Sequence, residues 1–520
     1  MAYIETDDTP NYGSNDKVTE ILKKYKEAQG VKDYWKDKFE EAYEYCLPNR
    51  ESFYDESPGQ KRTDKIFDET AVVGVQEFAS RLQAGITPTF ARWADFQAGS
   101  EIPPEQKPGI NQELDKITDY VFQVLQTSNF NQEIHEAFMD LAIGTGILLV
   151  EEGDAINPIK FTSVPLTRVC LMNGPDGKID TVYRTRTCKP DEIHLLYPKA
   201  KLPENFDPLK QKKEIKLIES IYKIYEDNVE KYKFCVVMEN PKHILLEEEY
   251  SGDGSNPYLV FRWNKASGEV YGRGPVFNAM GAIKTCNLTI ELILQNAQMS
   301  VSGVYTYEDD GVINPDNISL VPGSLIPVAP GSKGLLPIQA ASNFDVAQLV
   351  LNDMRQNIKK ALYMEALGRP EGTPMTATEV SERMADLSRQ IGASFGRLQS
   401  ELINPLLRRI IRILSKQGRI DIPKVNGREV KIAPRSPLAQ AQHLQDVADV
   451  TRFNEIIAGT FGPQMINLIV DQNATAKYLA EKMNLPEKLI RDEEEQKQLA
   501  DRMTQLQQSA EEGGEAPPGA

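Results

Sequence analysis

The run Gly368-Arg369-Pro370-Glu371-Gly372-Thr373-Pro374-Met375 is followed at once by Thr376-Ala377-Thr378-Glu379. Glycine and proline at this density break regular structure, whereas Thr376 with Glu379 three residues on is a capping box, each side chain satisfying a backbone donor of the first helical turn. The pattern predicts a short loop fixed to a well-determined helix start. Val380, Met384, Leu387, Ile391, Phe395, Leu398, Leu402 and Leu406 then recur in steps of three and four, one apolar face of one helix. Arg408, Arg409, Arg412 and Lys416 gather at the far end, where cations complement the carbonyl end of the dipole, and Gly418 supplies a left-handed stop. From Thr376 to Gln417 such a helix would extend on the order of 60 Å at about 1.5 Å per residue. Pro405 removes an internal hydrogen bond and Gly392 and Gly396 weaken the middle, so a kink is expected. A core helix of a large monomer is the simplest use of such an element; an arm within an assembly is the other.

The chain has 520 residues, more than one core holds, since single cores stop growing at roughly 250 to 300 residues; two to four structural regions are expected. Cys46, Cys170, Cys188, Cys235 and Cys286 are odd in number, widely spaced and without a Cys-x-x-Cys pair. They indicate neither a disulfide framework nor a zinc site, and a reducing compartment fits them. The start Met1-Ala2-Tyr3-Ile4-Glu5-Thr6-Asp7-Asp8 has no basic region followed by an apolar one, and no run of ~18 apolar residues occurs, so the chain reads as neither exported nor membrane-spanning. A net charge of −17 argues against gripping nucleic acid through many phosphate contacts. It does not exclude DNA as cargo, because a surface that repels phosphate lets a polyanion pass without sticking.

Along the chain, residues 16 to 45 read as an amphipathic helix with Leu22, Tyr25, Tyr34, Trp35 and Phe39 in its core, ended by Pro48. Ile66-Phe67-Asp68-Glu69-Thr70-Ala71 opens a second helix through Phe78 and Leu82, and the aromatics Phe90, Trp93 and Phe96 follow as packing residues. Helices are expected from about Asn111 to Gln126 and from Asn131, as cap, to Ile143. Between Ile147 and Trp263 short runs of Val, Ile, Tyr and Thr, broken at Asn173-Gly174-Pro175-Asp176-Gly177 and Ser251-Gly252-Asp253-Gly254, predict a strand-rich region. Pro275 then opens a helix over 276 to 301 whose only charges are Lys284 and Glu291. A helix so poorly charged must be enclosed, by its own chain or by neighbouring copies. Five Gly and five Pro mark 303 to 344 as an irregular excursion. A return helix from Asp345 to Leu367 carries Val346, Val350, Met354, Ile358 and Leu362 on one stripe and Arg355, Lys359 and Lys360 off it. After Pro434 short helices and a polar tail hold 14 acidic against 7 basic residues from Ser436 to Ala520, a net −7.

Catalytic signatures are weak. Pro330-Gly331-Ser332-Lys333-Gly334 is too short to wrap a triphosphate. Gly144-Thr145-Gly146 and Gly272-Arg273-Gly274 each lack the third glycine of a dinucleotide fingerprint and read as turns or close backbone packing. His135, His194, His243 and His443 stand far apart, with no pair on one helical face for metal or base work. Asp309-Asp310 and Glu247-Glu248-Glu249 are conceivable magnesium ligands of a nuclease, although charge runs of this kind ordinarily form solvated faces.

Four segments in this order and spacing carry a resemblance: Ile66-Phe67-Asp68-Glu69-Thr70-Ala71; Phe78-Ala79-Ser80-Arg81-Leu82 through Phe90-Ala91-Arg92-Trp93; Tyr271-Gly272-Arg273-Gly274-Pro275; and Met375-Thr376-Ala377-Thr378-Glu379-Val380. Over nearly its whole length the chain resembles the portal, or head-to-tail connecting, proteins of short-tailed bacteriophages of the T7 group. The resemblance implies an α+β, mainly helical fold with wing, stem, clip and crown regions. It implies a ring, typically of twelve copies, at one vertex of the virion capsid, assembled in the host cytoplasm, through which double-stranded DNA is packaged and ejected. By this resemblance 1–274 is wing, 275–302 the first stem helix, 303–344 the clip and 345–367 the second stem helix. The segment 368–375 (Gly368, Arg369, Pro370, Glu371, Gly372, Thr373, Pro374, Met375) is the channel loop, with Arg355, Lys359 and Lys360 as candidate channel-facing cations. The long wing helix and its connection follow at 376–434, the crown at 435–510 and a loose tail at 511–520.

The implied partners are further copies of the chain, the terminase large subunit that supplies energy, major capsid and scaffolding proteins, tail adaptors and internal core proteins. No cofactor, metal, membrane or enzymatic activity is implied. The competing expectations are a capsid-associated structural protein without DNA passage and a metal-dependent nuclease.

Overall fold

The first helix, α1 (Ser14–Cys46), exists because Val18, Leu22, Tyr25, Ala28, Phe39, Tyr43 and Cys46 fall on one buried side. Tyr34, expected among them, is 85% exposed. It stands about 100° around the helix from Trp35, whose ring takes the inward position, stacked on Phe39 at 5.5 Å. The structure is a computed structural model and describes residues 14–54, 63–99, 103, 107–203, 206–208, 213–224, 231–302, 305–306, 336–337, 344–364, 392–421, 430–434, 437–462 and 469–482.

Three helices follow, α2 (Thr70–Ile86), α3 (Lys107–Thr127) and α4 (Phe130–Ile143). The last starts before Asn131, because Asn129 rather than Asn131 is the boundary residue. The Asn129 side chain caps nothing; it donates to the Phe161 carbonyl at 2.8 Å and accepts from the Phe161 amide at 3.1 Å, holding a neighbouring strand. Between α2 and α3 lies β1 (Ala94–Ala98). Its amides at Phe96 and Ala98 donate to Thr118 and Asn111 on α3, so side chains close that edge. Trp93 and Phe96 are buried as expected, whereas Phe90 is 93% exposed.

The strand-rich region forms two antiparallel sheets. β2 (Thr145–Glu152) is the centre of one, between β3 (Ile159–Ser163) and β9 (Tyr258–Arg262). The other runs in chain order: β4 (Val169–Asn173), β5 (Ile179–Cys188), β6 (Ile215–Ile224), β7 (Lys231–Met238) and β8 (His243–Ser251). A short α5 (Ile193–Leu196) separates β5 from β6. One buried carboxylate ties the sheets together: Glu219 on β6 accepts from Tyr258 of β9 at 2.5 Å and from Tyr197, with Arg184 and Arg186 of β5 at 3.6 and 3.5 Å.

The two Gly-x-Gly segments meet each other. A side chain on Gly144 would run into the Gly272 carbonyl, and one on Gly274 into the Ala142 carbonyl. Gly274 donates to Ile143 O at 2.7 Å, and Gly272 donates to Thr145 Oγ1 at 2.9 Å. Backbone thus packs on backbone where the chain enters α6 (Pro275–Ser302). Past α6, β10 (Tyr305–Thr306) pairs with β11 (Leu336–Pro337) across the Gly/Pro-rich segment, and α7 (Phe344–Ala361) returns. Helical turns at 392–398, a π-helical turn Gln399–Ile403 and α8 (Asn404–Lys416) form the described part of the long arm. The expected irregularity therefore sits immediately before Pro405 as a widened turn. β12 (Val430–Pro434) pairs with β1, and α9 (Pro437–Phe461) and α10 (Gln472–Lys482) complete the described chain.

One continuous core joins α1, α2, α4, the three-stranded sheet, α6, α7 and α8. Within it Asp140 of α4 accepts from Tyr43 at 2.9 Å, with Arg50 at 3.7 Å, while its Oδ2 has no hydrogen-bond partner among the described residues. Burial raises its pKa from 3.8 to about 6, against the opposing pull of Arg50 and the Tyr43 hydrogen bond. A raised carboxyl stabilises the fold fully below 3.8 and loses that contribution as pH climbs through about 6. Replacing Asp140 with Asn removes the titration while keeping the Tyr43 acceptor. Melting temperatures of wild type and Asp140→Asn measured from pH 4 to 7 should therefore diverge most in their slopes, the variant losing stability less steeply as pH rises; parallel curves would contradict this assignment.

Candidate functional site

The antiparallel pair α6 and α7 is held to the rest of the chain by α2, and the grip begins with the irregular residues before that helix. Phe67 N and Asp68 N both donate to Asn287 Oδ1 of α6, at 2.8 and 3.0 Å. Asp68 Oδ1 accepts from Thr70 N at 2.9 Å, and its Oδ2 meets Arg355 Nε of α7 at 2.7 Å. The Asp68 carboxylate thus takes the Thr70 amide that a helix begun at Ile66 would give to the Ile66 carbonyl, and α2 starts at Thr70. Burial pulls the Asp68 pKa upward, but the hydrogen bonds from Thr70 and Arg355 outweigh it and hold the carboxyl below its ordinary value.

Further along α2, Gly74 allows close approach: a methyl there would stand 2.5 Å from Leu362 Cδ1. About two turns on, Arg81 donates to the carbonyls of Tyr363, at 3.2 Å, and Met364. These carbonyls end α7 several residues short of the expected stop at Leu367. Met364 N bonds Lys359 O at 2.9 Å and Tyr363 N bonds Lys360 O at 3.1 Å, the paired closure usual when glycine follows a helix. The end of α8 repeats the pattern, Arg419 N to Leu414 O and Gly418 N to Ser415 O. Gly418 has φ +68°, and Tyr363 adopts the same conformation at +58°. A left-handed conformation costs an L-residue about 1–2 kcal/mol. Here Arg81 offsets it together with two rings, Trp263 at 5.7 Å and Phe78 at 6.5 Å from the Tyr363 ring.

Arg355, Lys359 and Lys360, grouped as candidate channel cations, separate in the structure. Arg355 is engaged by Asp68, whereas Lys359 and Lys360 are exposed in the last turn of α7. Residues 368–375 and the capping box Thr376/Glu379 lie outside the described residues. Leu351, Ile358 and Leu362 of α7 are buried, and Val350, expected on the same stripe, is 36% exposed beside the exposed Leu349. On α6, Leu288, Leu292 and Leu294 are each more than half exposed. Its two charges are used locally, Lys284 with Glu41 of α1 and Glu291 with Gln295.

The long arm is anchored where β9 ends. Glu401 in the π-helical turn takes Arg262 Nη2 at 2.6 Å and the Arg262 amide at 3.0 Å. The arginines at its far end do more than complement a dipole. Arg408 pairs with Asp253 at 3.1 Å, and Arg412 donates to the Asp253 carbonyl. Arg409 is buried against the carbonyls of Val150, Gly254 and Ser255. Burial, then Arg412, lowers its pKa to about 10. Among the described residues no group of His, Cys, Asp or Glu is placed to hold a metal ion. Glu247 and Glu248 face Lys233 and Lys199 at 2.6 and 3.0 Å, and Asp309-Asp310 lies outside the described residues. No described helix is long and apolar enough to cross a membrane.

A two-helix hairpin with an uncovered apolar face, splinted to a mixed domain, defines a subunit shaped to pack against other chains. Comparison with known proteins agrees: a model of the bacteriophage head to tail connecting protein family matches residues 18–490. The chain belongs to that family. It is 23% identical to the probable portal protein of Bordetella phage BPP-1, over 94% of this chain and 92% of that one. To the portal proteins of Salmonella phage epsilon15 and Escherichia phage T7 it is 22% and 21% identical, over 74% and 68% of this chain and 72% and 66% of those.

Sequence patterns carried Asp68 and Arg81 within recognisable segments but not their partners. Asn287, one of five side-chain amides on the sparsely charged α6, was the available signal for a buried polar anchor; Tyr363 left none. If Tyr363 is left-handed, glycine there should be more stable than alanine by about 1 kcal/mol, reversing the usual helix ranking. Denaturant melts of Tyr363→Gly and Tyr363→Ala decide this, and a more stable alanine variant would refute the conformation.

Proposed function

We propose that this chain is the repeating subunit of a portal: a ring, of about twelve copies, at one capsid vertex, through which viral double-stranded DNA enters during packaging and leaves during infection. Family membership and the portal relatives support the role. The observation in this chain that carries it is the α6 face. Leu288, Leu292 and Leu294 lie exposed on a helix whose charged residues are already satisfied, and exposed apolar surface of this kind is covered by neighbouring subunits.

In this reading 1–274 with the long helix 376–434 forms the wing, and 275–302 and 345–367 the stem. The clip is 303–344, the channel loop 368–375, the crown 435–510 and the tail 511–520. About twelve chains at −17 each make a wall of roughly −200, which DNA slides past rather than adheres to. Lys359 and Lys360 touch phosphates transiently, and Arg369 does so within the loop. The chain performs no catalysis of its own; a terminase large subunit docks at the clip and pushes. Scaffolding and major capsid proteins surround the wing, tail adaptors replace the motor, and internal core proteins sit above the crown.

Electron microscopy of the purified protein should show rings with a central opening wide enough for duplex DNA. Solid particles would favour a capsid-associated structural protein, and magnesium-dependent DNA cleavage lost on changing Asp309 or Asp310 a nuclease. Leu288→Glu with Leu292→Glu should leave folded monomers, and rings that persist would refute the α6 interface. Deleting 369–373 should leave ring assembly intact while impairing completion or retention of packaging; loss of rings would contradict the loop assignment.

A further inference from the structure

The helix α2 and the residues just before it meet α7 and the turn that ends it at three places. Asp68, Gly74 and Arg81 lie six and seven residues apart and meet Arg355, Leu362 and the Tyr363–Met364 carbonyls. Gly74 and Arg81, seven residues apart, share one side of α2 and hold the C-terminal end of the hairpin's second helix, while Asp68 ahead of α2 holds Arg355 further back, so this segment acts as a splint. Asn287 attaches the first helix to the same point. The character of the contacts differs along the splint. At Gly74 and Leu362 the contact is apolar, whereas Asp68 is held by directional hydrogen bonds with Thr70, Arg355 and Asn287. Asp68 is 4% exposed, so its charge is poorly screened by solvent.

Angular precision here has a consequence for a closed ring. Adjacent copies turn by roughly 30° in a ring of about twelve and roughly 28° in one of about thirteen. A change of a few degrees between hairpin and wing is therefore enough to favour a different closure. We propose that Asp68, through Asn287 and Arg355, is the positioning residue that fixes the angle between wing and stem and thereby the number of copies in the ring. The inference rests on the portal reading.

Native mass spectrometry of the purified assembly tests it, with circular dichroism to verify folding. Asp68→Asn keeps the shape and the Thr70 acceptor but removes the charge facing Arg355. Arg355→Gln removes the pair with Asp68 but leaves the Thr70 and Asn287 hydrogen bonds in place and changes a side chain 40% exposed, the milder of the two substitutions. Each variant is expected to shift the mass distribution toward rings one copy larger or smaller than the dominant wild-type ring, and Arg355→Lys to restore it in part. A merely stabilising role would lower the melting temperature without moving the ring mass. If Asp68→Asn does not fold, Arg355→Gln alone decides. Folded variants with the wild-type ring mass overturn the proposal and leave the portal reading standing; a wild-type protein that forms no ring removes both.

Discussion

A buried carboxylate between three helices is the constraint on which the arrangement depends. Asp68 is shielded from water and accepts from Thr70 and Arg355, while the backbone beside it donates to Asn287. Removing one partner of such a group leaves polar atoms stranded in the core, which costs more than the interaction gains when intact. Such contacts define geometry more sharply than they stabilise. The segments joined are far apart in sequence, so this node adds directional contacts to the continuous apolar core that already joins hairpin and mixed domain.

The same economy recurs elsewhere. Glu219 joins the two sheets, Glu401 fastens the long arm to β9 through Arg262, and Arg409 donates to the carbonyls of Val150, Gly254 and Ser255. Apolar packing supplies the bulk of the stability, and single polar residues specify how the packed layers are oriented. Among the described residues the apolar surface left exposed includes Leu288, Leu292 and Leu294 of α6, the surface on which the proposed packing of neighbouring copies rests.

Much of the fold was legible in local pattern. Helical periodicity located α1, α2, α6 and α7, strand-rich composition located the two sheets, and Pro405 announced the irregular turn in the long arm. The failures share one cause, the dominance of tertiary partners over propensity. Leu362-Tyr363-Met364-Glu365-Ala366-Leu367 is composed largely of helix formers, yet α7 ends at Ala361 because Arg81 takes the terminal carbonyls and two rings hold Tyr363. Ile66 to Glu69 stays irregular because the Asp68 carboxylate, held by Arg355 of α7, takes the Thr70 amide that a helix begun at Ile66 would give to the Ile66 carbonyl. The reciprocal packing of the Gly-x-Gly segments was equally invisible, since each alone reads as a turn.

The candidate site was less legible than the fold. The breaker loop and the basic residues were marked by composition, but only coordinates separate Arg355, consumed by Asp68, from the exposed Lys359 and Lys360. Sedimentation velocity on the purified full-length protein tests the central claim most directly. A closed assembly of 58.4 kDa subunits predicts one fast species near about 700 kDa for about twelve copies; a single stable species at the subunit mass, under all concentrations tried, would contradict it.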